Sequence, residues 1–308
     1  MKIFSSLISG FYRTFNSIRG VLIAWLTMFL LLVVFIYPLR GSLNSAFGNS
    51  MITEKLANGI DIEVFADLGP VLQSLLSYIT SGFILIYLIG FVANAFLTAG
   101  LFGSVRKGKS KFSAQEFFRA GSRNFWSFLI ITLIITLITY FFSGIIIGVP
   151  MIIITGIETI SERTQYSVVI ASIVILLLML PVLFLAADYA RAWKSSHEDE
   201  SCFSAIGFGF SNTFSKFWSS YIMILLLISS QIILGIIILL ILPSWKPVTG
   251  GGVFLLLIIS QLLLLTRLML KTWRYASVTS LMEETASAIP GNVNFIQNEQ
   301  GRSNQTEG

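Results

Sequence analysis

The sequence predicts an all-α polytopic membrane protein. Six transmembrane helices form three parallel-oriented hairpin repeats, each preceded by a short cytoplasmic interfacial amphipathic helix. Three observations predict this. Hydrophobic residues make up 55% of the 308 residues and charged residues only 11%, with a mean hydropathy of +0.84. Soluble domains carry about a quarter charged residues. Six apolar stretches are each long enough for a bilayer core, which takes about 20 helical residues. A short aromatic-and-serine phrase occurs three times, at Phe4-Ser5, Phe112-Ser113 and Phe203-Ser204, each time ahead of an odd-numbered stretch.

The spans are expected at about 20–38, 71–97, 125–149, 167–190, 217–243 and 253–275. Their apolar runs are continuous. A membrane barrel would alternate, and unpaired backbone in lipid is costly, so helices are the reading. The first stretch is longer than a signal-peptide core and lacks a small-residue cleavage site. More spans follow it, so it reads as a first transmembrane helix.

Lysine and arginine set the orientation. Lys2, Arg13 and Arg19 precede span 1, and Arg106, Lys107, Lys109, Lys111, Arg119 and Arg123 lie between spans 2 and 3. Arg191, Lys194 and Lys216 lie between spans 4 and 5, and Lys271 and Arg274 close span 6. The other side has Arg40, Lys55, Arg163 and Lys246. Basic residues favour the cytoplasmic side, so both termini are predicted there, in a bacterial inner (cytoplasmic) membrane. Trp126 and Trp218 open spans 3 and 5, and Trp193 and Trp273 close spans 4 and 6, on the same side. The net charge of +5 follows from this asymmetry and does not call for nucleic acid.

One membrane domain is expected over 1–285, with repeats at about 1–108, 109–199 and 200–285. A polar tail, 286–308, is predicted disordered. The segment from about Gly41 to Pro70 carries Glu54, Asp61, Glu63 and Asp67. It is expected to hold a helix near Met51–Asn58 and to cap the outer ends of the bundle.

The first and third copies of the phrase align without a gap. Phe4, Ser5, Gly10, Phe11, Thr14 and Phe15 match Phe203, Ser204, Gly209, Phe210, Thr213 and Phe214. The middle copy is one residue shorter. There Ser113 is predicted to cap a helix, with Glu116 at N3 and Phe112 and Phe117 forming a hydrophobic staple. Aromatics at the lipid boundary and arginines near phosphates suit an interfacial helix. Because each repeat holds two spans, all three enter the membrane in the same sense, around a central cavity or packed solid.

Polar groups inside spans are the candidate site residues, because burial without partners is costly. Arg267 in span 6 is placed to pair with Asp188 in span 4. Lys271 lies one turn on, so Arg267 and Lys271 also form a cationic patch for lipid phosphate or an anionic solute. Gln231 in span 5, Gln261 in span 6 and Asn94 in span 2 are candidates for hydrogen bonds between helices or for a polar-solute site. Gly144 with Gly148, and Ala186 with Ala190, have the spacing of close helix packing. Pro150 and Pro181 are candidate kinks.

Catalytic chemistry has little to work with. His197 and Cys202 are the single residues of their kinds, in the turn His197-Glu198-Asp199-Glu200-Ser201-Cys202. A metal centre wants more strong ligands, and a Cys–His pair wants an orienting group. With one cysteine, no disulfide forms within the chain. No phosphate-binding G-x-x-x-x-G-K-S/T loop and no G-x-G-x-x-G fingerprint occurs. The expectation is no enzyme and no cofactor.

Gly100-Leu101-Phe102-Gly103, then Arg106-Lys107-Gly108-Lys109, then Phe112-Ser113-Ala114-Gln115-Glu116-Phe117-Phe118-Arg119-Ala120-Gly121, ends in Arg123-Asn124-Phe125-Trp126. This pattern resembles bacterial six-span integral membrane proteins similar to the membrane portion fused to some glycerophosphodiester phosphodiesterases. The resemblance covers about residues 1–285. It implies the six-span fold and brings no catalytic residues, and the phosphodiesterase barrel of those fusions has no counterpart in this sequence. The expected function is a non-catalytic accessory, lipid-organising or assembly role. The alternative is a small secondary transporter or channel for a lipid-like or polar anionic solute. Expected partners are membrane lipids, with a membrane-protein partner or a second copy of the chain left open.

Overall fold

Long apolar runs free of helix-breaking turns fold as helices, and they do so throughout this computed structural model. The structure describes residues 2–47, 69–106, 112–156, 161–241 and 249–286. The helices are α1 (Lys2–Asn16), α2 (Ile18–Phe47), α3 (Gly69–Arg106), α4 (Ala114–Ser143), α5 (Val149–Thr155), α6 (Glu162–Ser196), α7 (Cys202–Ser215), α8 (Phe217–Ile241) and α9 (Gly250–Ala286). A π-helical turn, Gly144–Gly148, joins α4 to α5.

Six stretches are long and apolar enough to cross a bilayer: Ile18–Pro38, Leu76–Arg106, Ala114–Thr155, Glu162–Ser196, Phe217–Leu240 and Gly250–Glu284. The protein is an all-α polytopic membrane protein. Hydroxyl groups inside the spans turn back onto their own helices. Thr27, Thr132, Thr139, Thr266 and Thr272 each donate to the carbonyl four residues earlier, at 2.7–2.9 Å. Lipid offers no partner for such a group, so the local carbonyl takes it.

Contacts divide the chain into two compact units: Met1–Leu22 with Ala95–Gly308, and Ile23–Asn94. In the smaller unit, Phe35 and Phe83 pack edge-to-face at 5.7 Å, and a Cβ at Gly82 would run into the Phe35 ring. The helix expected near Met51–Asn58, the acids Glu54, Asp61, Glu63 and Asp67, and the tail beyond Ala286 lie outside the described residues. α2 continues to Phe47, past the Gly41 at which a loop was expected.

The larger unit has its core where α4, α6, α8, α9 and the end of α3 meet. Phe102, Phe128, Leu185, Tyr189, Met223, Ile224 and Tyr275 are fully or almost fully buried there. Phe102 stacks on Tyr275 at 4.6 Å and meets Phe128 edge-on at 5.7 Å. Fully burying one such side chain is worth about 1.5–3 kcal/mol. This end of the unit is also its basic end, holding Arg106, Arg191, Lys194 and Arg274.

The two gapless copies of the phrase fold alike. α1 breaks at Ser17, whose N–H donates to Arg13 O and Thr14 O. α7 breaks at Lys216, the aligned position, whose N–H donates to Asn212 O. Ladders resume from Val21 N to Ser17 O and from Ser220 N to Lys216 O. Ser6, Gly10 and Thr14 are buried on α1, and the aligned Ala205, Gly209 and Thr213 are buried on α7. Thr14 donates to Gly10 O at 2.8 Å and Thr213 to Gly209 O at 2.7 Å.

These stripes are small because the next helix lies very close. A Cβ on Gly10 would overlap the Ser277 backbone of α9, and one on Gly209 would overlap the carbonyl oxygen of Ala186 on α6. The Ala186–Ala190 pair therefore does mark a close approach, and α7 makes it. Gly144 and Gly148 do not mark one. Neither has a neighbour within 4 Å of where a Cβ would stand. They form the π-helical turn just ahead of Pro150, whose ring nitrogen has no hydrogen to give the normal ladder.

The middle copy departs from the expectation of a separate helix. α4 runs unbroken from Ala114 through Phe125 and Trp126 into its span. This copy has one residue fewer, and the hydrogen-bond ladder passes straight through. Ser113 is the N-cap residue, but its side chain makes no capping bond, so the expected capping box is not formed. The backbone bond from Phe117 N to Ser113 O, the ordinary first rung of a helix, is present at 3.1 Å. The staple does form, with Phe112 and Phe117 rings 6.1 Å apart. Side-chain capping is seen in the third copy, where Ser201 accepts from Ser204 N at 3.1 Å.

Candidate functional site

Asp188 sits about two turns from the end of α6, in a chain of alanines, Ala186-Ala187-Asp188-Tyr189-Ala190, whose small side chains let neighbours close over it. It is completely buried, and it is the one buried carboxylate among the described residues. A lone carboxylate there would be prohibitive, so its partners decide what the site is.

Two arginines supply them. Arg191, one turn along α6, donates from Nη1 to Asp188 Oδ1 at 3.2 Å. Its Nη2 donates to Thr132 Oγ1 on α4 at 3.0 Å, and that hydroxyl passes its own hydrogen to Phe128 O at 2.7 Å. Arg274 on α9 brings Nε to 2.7 Å from Asp188 Oδ2. That approach is off the line of the N–H, so it is an ionic contact and not an aligned hydrogen bond. The Arg274 guanidinium is also 5.4 Å from the ring centroids of both Phe184 and Tyr275. Lys271 Nζ lies 5.8 Å from the Tyr275 centroid.

The expected Asp188–Arg267 pair does not form. Asp188 is taken by Arg191 and Arg274, and Arg267 is exposed. Arg274 is seven residues further along α9, about 10 Å nearer the basic end at 1.5 Å per residue. That is the depth at which α6 presents Asp188. Lys271, the other half of the expected patch, does belong to this neighbourhood through Tyr275. Arg191, Arg274, Thr132 and Tyr275 were not singled out from sequence as site residues. The signal present was Arg191 at i+3 from Asp188, which gives the carboxylate a partner on its own helix.

Gln231 on α8 is half-buried, and its Nε2 is buried without a hydrogen-bond partner. Gln261 on α9 is half-buried and interacts within the protein. Asn94 is half-buried in the smaller unit and also interacts.

Below Asp188 the basic end is tied by further contacts. Tyr189 Oη and Ser220 Oγ join α6 to α8 at 2.6 Å. Lys194, buried, donates to the carbonyls of Glu198 at 2.6 Å and Glu200 at 2.5 Å. Arg106 donates to Ser195 O at 2.8 Å. Arg123 meets the carboxylate of Glu198 at 2.5 Å. His197 stacks on Trp193 at 4.5 Å, and Cys202 opens α7. Among the described residues no group of three or more His, Cys, Asp or Glu is placed to hold a metal.

α1 is fastened to the end of α9. Arg13 meets Glu283 at 2.6 Å, Ser5 donates to Glu284 at 2.8 Å, and Trp273 Nε1 donates to Leu7 O at 2.9 Å. The arrangement thus offers a buried cationic cluster built on one carboxylate, beneath helices whose outward faces are aromatic. No protein-family model matches the chain, and neither a curated protein nor a solved structure matches it.

Proposed function

We propose that this protein is a non-catalytic membrane bundle that organises lipid, or a partner protein, at its basic face. That face is cytoplasmic, and the bundle is built as three hairpins that enter the membrane in the same sense. The membrane is a bacterial inner membrane of the kind that houses the six-span proteins it resembles.

One observation carries the lipid part. α1 and α7 are inverted relative to helices on a water-soluble protein. They bury small and polar residues (Ser6, Gly10 and Thr14; Ala205, Gly209 and Thr213) and expose aromatics. Phe4, Tyr12, Phe203 and Phe214 are 71%, 66%, 69% and 63% exposed. Trp126 and Trp218 are exposed at the heads of α4 and α8. Such faces suit the boundary between acyl chains and headgroups.

The three-hairpin reading rests on a recurring contact. α1 packs on the end of α9, α7 packs on the end of α6, and the head of α4 packs on the end of α3. The last contact sets Phe117 against Gly100 and Ala120 against Gly103. Each aromatic opening segment therefore leans on the end of a second-span helix, α1 on α9, the head of α4 on α3 and α7 on α6. Phe102, Tyr189 and Tyr275 occupy matching places as buried aromatics near the ends of those second spans.

Spin labels test the lipid part. In a Cys202→Ser background, labels at Ile8→Cys, Tyr12→Cys and Phe214→Cys are expected to collide with oxygen more than with a water-soluble nickel complex when the protein is in bilayers. Water-accessible labels at all three positions would refute it.

A further inference from the structure

α6 changes character at Pro181. Ahead of it, over residues 162–180, Ser172 alone is buried. From Pro181 onward Leu183 and Leu185 are buried, as is every residue from Ala186 to Ser195 except Trp193. The later part is also where Arg191, Tyr189 and Asp188 reach α4, α8 and α9. Packing thus fixes one end of α6 and leaves the other outside the core. Segments with few buried contacts open at lower free energy.

The backbone ladder is weakened at the same point. Pro181 has no N–H, so the Leu177 carbonyl cannot receive its ladder bond, and the proline ring crowds that carbonyl. Membrane helices tolerate this where neighbouring groups satisfy the freed backbone. Here α8 supplies such a group: Tyr221 Oη donates to Leu178 O at 3.0 Å. The Tyr221 ring is set by stacking on Phe217 at 5.0 Å. Its chain neighbour Ser220 bonds Tyr189 Oη at 2.6 Å. Adjacent residues of α8 therefore grip α6 on both sides of Pro181. The Ser220 grip is buried, and the Tyr221 grip is exposed.

The arm that leads to α6 has a weak point of its own. The π-helical turn Gly144–Gly148 lies just ahead of Pro150, with open space where a Cβ on Gly144 or Gly148 would stand. The turn and α5 both pack on α6. Prolines and π-bulges are the places where helices bend, and hinges fall at a few such positions.

We infer that Pro181 and the π-helical turn are two hinges, and that α5 and residues 162–180 swing as one tip against a fixed basic end. Tyr221 is the latch. Its hydroxyl holds the tip in the arrangement seen here, and loss of the bond to Leu178 O releases it. The Tyr189–Ser220 bond lies on the fixed side and stays made in both states. This inference goes beyond the lipid-organising reading and does not depend on it.

The test is a pair of spin-label distances by double electron–electron resonance, on the full chain in nanodiscs in a Cys202→Ser background. Labels at Tyr166→Cys and Phe203→Cys report the tip against the basic end. Labels at Phe4→Cys and Phe203→Cys report the basic end alone. Tyr221→Phe removes the latch and keeps the ring. It is expected to raise the displaced population of the first pair about threefold, the weight of one average interhelical hydrogen bond in a membrane. The second pair should not move. Pro181→Ala restores the N–H and is expected to give a single narrow distance for the first pair, with or without Tyr221→Phe. A first-pair distribution untouched by Tyr221→Phe would overturn the proposal. Equal broadening of both pairs would also overturn it, because the whole bundle would then have loosened. A response to Tyr221→Phe that persists in full after Pro181→Ala would remove Pro181 as the hinge.

Discussion

Arg274 reaches Asp188 from a different helix, its Nε 2.7 Å from Oδ2, in a place where both side chains are almost sealed from solvent. The contact joins α9 to α6 at the level where Tyr275, Phe102 and Tyr189 fill the core. A buried pair of this kind stabilises mainly by being complete, because either partner alone is an uncompensated charge.

Asp188→Asn is therefore expected to destabilise the protein by about 3–5 kcal/mol. The measurement is the midpoint of unfolding in mixed micelles. Adding Arg274→Gln to it should recover part of the loss, giving a coupling of at least about 1 kcal/mol in the double-mutant cycle. Strictly additive effects would mean that the two residues do not act as a pair.

The glycines give a sharper contrast. Gly10→Leu and Gly209→Leu force a side chain into the Ser277 backbone and the Ala186 carbonyl, and each is expected to cost about 1–3 kcal/mol. Gly207, on the same helix as Gly209, has nothing within 4 Å of a Cβ. Gly207→Leu should be tolerated, as should Gly144→Ala and Gly148→Ala. Protease release of the α7 segment would report the difference. Equal effects at 207 and 209 would count against the close packing of α7 on α6.

Arg267→Gln is expected to change stability by no more than about 0.5 kcal/mol, the range of surface substitutions. The same unfolding measurement checks it. A loss comparable to that of Asp188→Asn would place Arg267 inside the buried network after all.

Orientation is checked by labelling intact cells with a membrane-impermeant thiol reagent. Native Cys202, at the basic end, should stay unlabelled until cells are opened. In a Cys202→Ser background, Thr164→Cys at the head of α6 should label from outside. The reverse pattern would place the basic face outside and overturn the assignment of both termini to the cytoplasm.

Much of the fold was legible because the relevant signals are local. A run of some twenty apolar residues must be helical in lipid whatever surrounds it, so six spans could be counted directly. The gapless match of Phe4–Phe15 to Phe203–Phe214 also carried real information. The same breaks at Ser17 and Lys216 and the same buried stripes recur at the aligned positions. The Ser113 capping box does not form because capping depends on side-chain rotation, which residue type alone does not fix. Gly144 and Gly148 misled because a pair of small residues also suits a wide turn before a proline.

The candidate site was only half legible. An aspartate inside an apolar span announces itself by composition. Its partner does not, because Arg267 and Arg274 are two turns apart and share a helix face to within about 20°. Periodicity cannot choose between them. The sequence by itself determined that the chain is a six-span helical membrane protein, and where its aromatic opening helices lie. The tertiary structure alone decided which arginine meets Asp188, because axial register between α6 and α9 is set by packing at their shared end, and about 10 Å of register separates the two candidates.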